Sequence, residues 1–185
     1  HSTETIVNQV EVLRGMVNAF GKFAEEPILT IESFNIISVI KESIGLYSKK
    51  DNKKIFRLNL HSESCTVQAD EQKLRQVFNN LIKNALDATV KSSSPAINIK
   101  TNKMEINNRP CIELTISDNG KGFEPNIVGN AFEPYVTTKT KGKGLGLAIV
   151  KHIIEEHMGH IELQNRDKQG ASVVITLPLF QPKKG

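Results

Sequence analysis

The sequence predicts an α+β domain, a two-layer α/β sandwich with helices packed on one face of a mixed sheet. Three observations carry that prediction. Residues 71–90 hold an apolar stripe at helical spacing, through Leu74, Val77, Phe78, Leu81, Ala85 and Leu86. Ala96–Met104 and Cys111–Ser117 alternate apolar and polar residues on either side of "NNRP", as a hairpin does. His160–Asn165 and Ser172–Leu179 do the same around "RDKQG". Strand pairs alternating with long amphipathic helices must bury the helix stripe on a sheet face.

Composition allows such a core. The 185 residues are 38% hydrophobic and 24% charged, an ordinary globular balance. The net charge of +4 comes from 24 cations against 20 anions, a mixed surface with no long basic run, so a nucleic-acid partner is not expected. Trp is absent and aromatics make up 5%, which argues against a base-stacking surface. No run of about 18 apolar residues and no secretory signal at the start are seen, so the chain is expected to be cytoplasmic and not to cross a membrane. Cys65 and Cys111 lie in separate strand-like runs with no C-x-x-C pairing, and are expected to be reduced thiols in or near the core.

Taken in order, residues 2–25 read as one helix. Ile6, Val10, Leu13, Val17, Phe20 and Ala24 step alternately by four and three, a heptad seam, and Pro27 ends it. One helix cannot bury such a stripe by itself. It docks either on the following domain or on partner helices of a hairpin or dimer. Residues 36–49 read as a second helix. Ile55–Leu60 and Cys65–Gln68 read as strands joined by a polar turn at His61–Ser64. Asp70 is placed to cap the long helix that follows. Residues 119–143, rich in Gly, Pro, Asn, Thr and Lys, form a long connection of the kind that is functional or mobile. Leu145–Met158 reads as a helix closed by Gly159.

Three polar features interrupt this scheme, and each admits two readings. On the long helix Asn80, Asn84 and Asp87 share a stripe at the edge of the core face. Asn is a poor residue in mid-helix. The stripe is either solvated or lines a cleft whose amide oxygens bind a hard cation such as Mg²⁺. In "ISDNGKGF", Asp118 ends a strand before Gly120 and Gly122. It either caps a tight turn or accepts a hydrogen bond from a ligand's exocyclic amine, with the glycines admitting a ring. In "GKGLGLAIV", Gly142, Gly144 and Gly146 lead into a helix, preceded by the hydroxyls and cations of "TTKTKGK". The stretch is either a loose loop with solvated lysines or an anion cradle at a helix N-terminus. Its spacing matches neither a Walker A loop, a dinucleotide fingerprint nor the protein-kinase glycine loop.

In this order, the N-x-x-x-N helix, the D-x-G-x-G turn, "FEP" and G-x-G-x-G-L resemble the N, G1, F and G2 boxes of sensor histidine kinases. Those belong to the ATPases and kinases of the Bergerat (GHKL) fold. The resemblance covers about residues 30–180. "FEPYVTTK", "GLGLAIVKHIIEEHMGHIEL" and "NQVEVLRGMVNAFGKFAEEP" resemble the membrane-bound nitrogen-regulation kinases of NtrY type. The resemblance implies ATP and Mg²⁺ as ligands. It assigns Asp118 to the adenine amino group, Gly120 and Gly122 to the ring, Asn84 to Mg²⁺ and Asn80 to the phosphate side. It places Lys83 and Asp87 beside the nucleotide. Phe132 and the segment to about Lys143, including Thr138, would be the lid. Gly142, Gly144 and Gly146 with Leu145 and Leu147 would cradle the phosphates, Lys139 or Lys143 would reach the terminal phosphates, and Thr176 would stand near the adenine. Partners so implied are a phosphoacceptor hairpin on the same kinase or its dimer mate and a response regulator. The parent would be a homodimer anchored in a bacterial inner membrane.

Two departures stand out. Lys143 occupies the place where the family pattern carries Thr, exchanging a hydroxyl for a charge. None of His1, His61, His152, His157 and His160 has the acidic and Pro context of the phosphoacceptor. Residues 1–27 resemble the second helix of the dimerisation hairpin, and 28–185 the catalytic domain. The expectation is a domain that binds ATP without phosphorylating itself. The ATP-driven clamps of gyrase, Hsp90 and MutL kind carry a water-activating Glu one turn before the metal-binding Asn. Asn80 stands there and cannot take a proton. A nucleotide-sensing or dimerisation module without catalysis is the remaining alternative.

Overall fold

In the computed structural model the described residues are 28–48, 55–61, 63–134, 136, 144–167 and 169–180. The helix expected over residues 2–25 lies outside them. A five-stranded sheet is ordered β2-β4-β5-β7-β6, with β2 (Phe56–Asn59), β4 (Ile97–Ile106), β5 (Arg109–Asp118), β6 (His160–Asn165) and β7 (Ala171–Pro178). β2 runs parallel to β4, and the other pairs are antiparallel. A separate antiparallel pair joins β1 (Glu32–Asn35) to β3 (Thr66–Ala69). Helices α1 (Ile36–Tyr47), α2 (Glu71–Thr89) and α4 (Gly146–Glu156) form the second layer, and α3 (Pro125–Val128) is a single turn. α2 is the central helix, packed by α1, α4 and β5.

The core lies between the layers. Phe78, Leu74, Val77, Leu81 and Ile82 of α2 meet Ile97, Ile99, Ile112, Leu114, Ile116, Ile175 and Leu177 of the sheet, all buried. Leu86, expected in this face, is only partly buried, and Ile82 takes its share. Asp70 caps α2 as expected, with Oδ1 accepting from the Lys73 N–H at 3.0 Å. Its Oδ2 accepts from the Thr30 N–H at 3.1 Å. Burial pushes its carboxyl up, but the N–H groups of Lys73, Thr30 and Gln72 outweigh that and hold it below the usual value. His157 locks the same corner. Its Nε2 accepts from the Asp70 N–H at 2.9 Å, while Nδ1 lies 2.7 Å from the Ile153 carbonyl and so carries the proton. Asp70→Ala is expected to lower stability by about 1–2 kcal/mol, and the measurement is a shift in the urea midpoint at unchanged slope.

Several expected features differ. β1 was not foreseen, because "ESFN" has no apolar alternation and exists as a strand only through β3. β2 and β3 are not partners across the His61–Ser64 turn. β2 joins the sheet edge beside β4, and the chain crosses over through β3 and α2, as a parallel connection requires. The β4–β5 turn is shorter than "NNRP": Asn107 (φ 50°) and Asn108 (φ 61°) alone make it, both left-handed as a primed two-residue turn demands. At the end of α4 the left-handed residue is Met158 (φ 55°), not Gly159. Gly159 is instead required by space, since a Cβ there would lie 2.7 Å from the Thr176 carbonyl. Cys65 and Cys111 are both free and buried.

Candidate functional site

The site is built on one ridge of α2. Asn80, Asn84 and Ala88 are spaced by four and lie on one line along the helix, roughly 12 Å from first to last. Asn80 and Asn84 are half-buried, as the edge of a core face would be. Gly146, the first residue of α4, sits against them. A Cβ there would lie 3.6 Å from Asn80 Oδ1 and 4.0 Å from Asn84 Nδ2. Gly120 meets the other end of the ridge, where a Cβ would run into the carbonyl of Ala88. The glycine stretch and the Asp-Gly turn, 26 residues apart from Gly120 to Gly146 in the chain, are thus brought to one helix face.

The N-terminus of α4 differs from those of its neighbours. α1 is capped by the Asn35 side chain and α2 by Asp70. Leu145 precedes α4 and offers no side-chain cap. Among the described residues no side chain caps that helix, and its first backbone N–H groups and dipole favour an anion there. Gly144 (φ 64°) makes the turn into it, a conformation that suits glycine. Leu145 and Leu147 are half-buried, and Leu147 and Phe132 pack on the core from the rim. Lys151 Nζ stands 5.9 Å from the Phe132 ring centre, which ties the start of the 132–143 segment to α4. Thr138, Lys139, Gly142 and Lys143 lie outside the described residues.

Asp118 is the last residue of β5 and is buried. Its Oδ1 accepts from the Gly120 N–H at 2.8 Å. Burial pushes its carboxyl up. The N–H groups of Gly120 and Ala171 and the nearby Arg166 charge oppose this without cancelling it. Gly122 (φ 71°) turns the chain beside it. Lys83 and Asp87 are exposed on α2. Lys83 lines an open groove of about 420 Å³ with Tyr47, Gln72, Gln76, Asn79 and Asn80, so the groove runs into the Asn80 end of the ridge.

Thr176 is a correction. Ile175 and Leu177 point into the core, so Thr176 points away from the helices, between Glu113 on β5 and His160 on β6. Glu113 is five positions along β5 from Asp118, roughly 17 Å at strand rise. The residue beside Asp118 on β7 is Ala171, whose N–H supports the carboxylate. Strand parity alone separates the two positions, but only once the ladder register is known. Sequence reasoning also passed over Asn119, Asn165, Arg166 and Gly170, which hold the Asp118 turn. Only Gly170 carried a signal, as the glycine that closes "RDKQG".

The donors fit a magnesium ion that arrives with a polyphosphate. Among the described residues no group of three His, Cys, Asp or Glu side chains could hold a metal. What the ridge offers is amide oxygen, and Mg²⁺ is bound by few protein oxygens when phosphates and water fill the remaining positions.

A two-layer sandwich with a glycine-entered helix laid against an Asn ridge, and a buried Asp at the far end, is the architecture of the Bergerat-type catalytic domains. Residues 69–181 match the family described as histidine kinase-, DNA gyrase B- and HSP90-like ATPase. The chain belongs to that family. It is 33% identical over 178 residues to an NtrY-like sensor histidine kinase of Rickettsia bellii, covering 96% of this chain and 28% of that protein. It is 33% identical over 184 residues to the nitrogen regulation protein NtrY of Azorhizobium caulinodans, covering 98% of this chain and 24% of the relative. The nucleotide-free catalytic domain of histidine kinase ThkA superposes with a TM-score of 0.68 at 30% identity, over 80% of this chain and 95% of that one. ThkA in complex with its response regulator TrrA superposes with a TM-score of 0.71 at 27% identity, over 97% of this chain and 51% of that one. The chain thus spans about a quarter of the length of the NtrY-type relatives.

Proposed function

We propose that this chain is the Mg-ATP-binding catalytic domain of a sensor histidine kinase, acting on a histidine outside residues 1–185. The observation that carries the reading is the α2 ridge, which joins a buried carboxylate turn at Ala88 to an uncapped helix N-terminus at Asn80 and Asn84. Asp118 accepts the adenine amino group, and Gly120 and Gly122 let the ring lie close. The N–H groups following Leu145, with Gly144, Gly146 and Leu147, receive the phosphates. Asn84, with Asn80 beside it, holds Mg²⁺, which supplies positive charge against the phosphate oxygens. Lys83 and Asp87 flank the nucleotide. Phe132 opens a lid whose Thr138, Lys139, Gly142 and Lys143 close over the phosphates.

In the reaction the bond from the γ-phosphorus to the bridging oxygen of ADP breaks, and a bond to an imidazole nitrogen forms. ADP leaves, and the imidazole loses its proton. With the acceptor imidazole as the nucleophile, the ATP-binding domain need supply only positioning and charge neutralisation. The open groove lined by Lys83 reaches Asn80, at the proposed metal-binding end of the ridge. Residues 1–27 are the second helix of the dimerisation hairpin and 28–185 the catalytic domain. The parent is a homodimer anchored in a bacterial inner membrane, and it signals to a response regulator.

The test mixes the chain with a hairpin polypeptide carrying the acceptor histidine and γ-labelled ATP. Acid-labile label on the hairpin is expected, and at least about a hundredfold less with Asn84→Ala. Equal labelling by that variant would remove Asn84 from the metal. Steady release of phosphate without hairpin labelling would favour the clamp reading, which Asn80 disfavours because an amide cannot activate water.

A further inference from the structure

The turn that carries Asp118 leaves the sheet at the end of β5, beyond which one backbone bond, from the Asn119 N–H to the Ala96 carbonyl at 3.2 Å, continues on the β4 side. Ser117 is the last residue in the ladder with β7, at Ser172; Asp118 is paired in the ladder only with Ile97 of β4 and meets β7 through its carboxylate, which the Ala171 N–H supports. A loop with two glycines would wander from there. On the β4 side Asn119 holds it, with Oδ1 accepting from the Ala96 N–H and Nδ2 donating to the Ser94 carbonyl, both at 2.8 Å. On the other side the β6–β7 connection does the same work. Asn165 donates from Nδ2 to the Phe123 carbonyl at 2.7 Å and accepts from the Phe123 N–H at 2.8 Å, copying a strand pair with a side chain. Arg166 donates from Nη1 to the Asp118 main-chain carbonyl at 3.0 Å, and its own N–H closes the connection onto the Gly170 carbonyl at 2.9 Å.

The fit between the two segments is close. Gly170 has φ 91°, and a Cβ there would run into the Asp118 carbonyl. A Cβ on Gly122 would lie 2.9 Å from Asn165 Oδ1 and 3.2 Å from the Gly170 carbonyl. Asn165 and Arg166 are exposed residues that nonetheless spend their polar groups on backbone of the neighbouring turn. Surface side chains ordinarily leave those bonds to water.

We infer that Asn165 and Arg166 are positioning residues for base recognition, holding the Asp118 turn against the β6–β7 connection so that the carboxylate meets the exocyclic amine. The inference rests on Asp118 being the base acceptor. Neither residue touches the base; both act through the main chain of Asp118 and Phe123. Loss of either lets the turn shift, and the hydrogen bond that separates adenine from a base lacking the amine weakens.

The experiment measures binding of Mg-ADP and Mg-IDP to the whole chain and to the Asn165→Ala, Arg166→Ala, Arg166→Lys and Asp118→Asn variants, with a thermal melt of each. The ADP-over-IDP preference is expected to narrow by about 3- to 10-fold in the two Ala variants, since one hydrogen bond is at stake. Arg166→Lys should recover part of it, because a lysine keeps a donor for the Asp118 carbonyl. A preference unchanged in both Ala variants but lost in Asp118→Asn overturns the inference and leaves the base reading standing. A wild-type chain with no preference, or a preference kept by Asp118→Asn, overturns both. Lower melting temperatures with an unchanged preference also overturn it, as a merely structural brace would give that result.

Discussion

Asp118→Asn is expected to weaken ATP and ADP binding by about 10- to 100-fold, the worth of one hydrogen bond to a charged group. The carboxylate can accept from the Gly120 and Ala171 N–H groups and still present a lone pair to an amine. An amide has one acceptor oxygen. Its NH₂ must face either a backbone N–H or the incoming exocyclic amine, donor against donor. Isothermal titration with ADP reads the loss directly, and an affinity within twofold of wild type would remove Asp118 from the base. The same substitution has a signature in the empty domain. Burial raises the Asp118 carboxyl above its unfolded value. The folded state therefore favours the protonated form, and that contribution is full below the unfolded pKa and lost as pH rises through the folded one. The stability of wild type relative to Asp118→Asn should fall over that window and be flat well above it. Urea midpoints across the acid range check the slope and its sign.

Gly120→Ala is expected to destabilise the domain by about 3 kcal/mol, because the added methyl meets backbone rather than a flexible side chain. The clash is with the Ala88 carbonyl of α2, and Ala88 Cβ would lie 2.8 Å away. A helix carbonyl in the ladder cannot give way without moving the ridge that also carries Asn84. Stability and nucleotide binding should therefore fall together. Gly45→Ala is the control. Nothing lies within 4 Å of a Cβ there, in the last turn of α1, so a gain of about 0.5–1 kcal/mol is expected from reduced backbone entropy. A Gly120→Ala chain as stable as wild type would mean that the turn and α2 are not in contact.

What could be seen in the sequence followed from range. α2 was legible from cap to stripe, since Asp70, its target Lys73 and the periodic apolar residues lie within one helix. The β4–β5 hairpin was legible for the same reason. β1 was not, because four mixed residues become a strand only when β3 supplies the hydrogen bonds. The partner of β2 was not legible, because a parallel neighbour arrives after a crossover of two further elements. Among the site residues, Asn80, Asn84, Asp118 and the glycines stood out as residue types in the wrong place for a helix or strand interior. Thr176 was misplaced because a hydroxyl in a strand carries no local sign of which face it takes. Asn165 and Arg166 look like any loop pair until the turn they hold is seen opposite them.

The sequence by itself determined the class of fold, the position of its central helix and the residue types of the candidate site, because periodicity, capping and glycine spacing are properties of neighbouring residues. The tertiary structure alone decided that Gly120 and Gly146 meet the same ridge of α2, that Ala171 rather than Thr176 stands beside Asp118, and that the β6–β7 connection braces the turn. Those are contacts between residues far apart in the chain, set by sheet order, register and the packing of α2 on β5, and no local pattern encodes them.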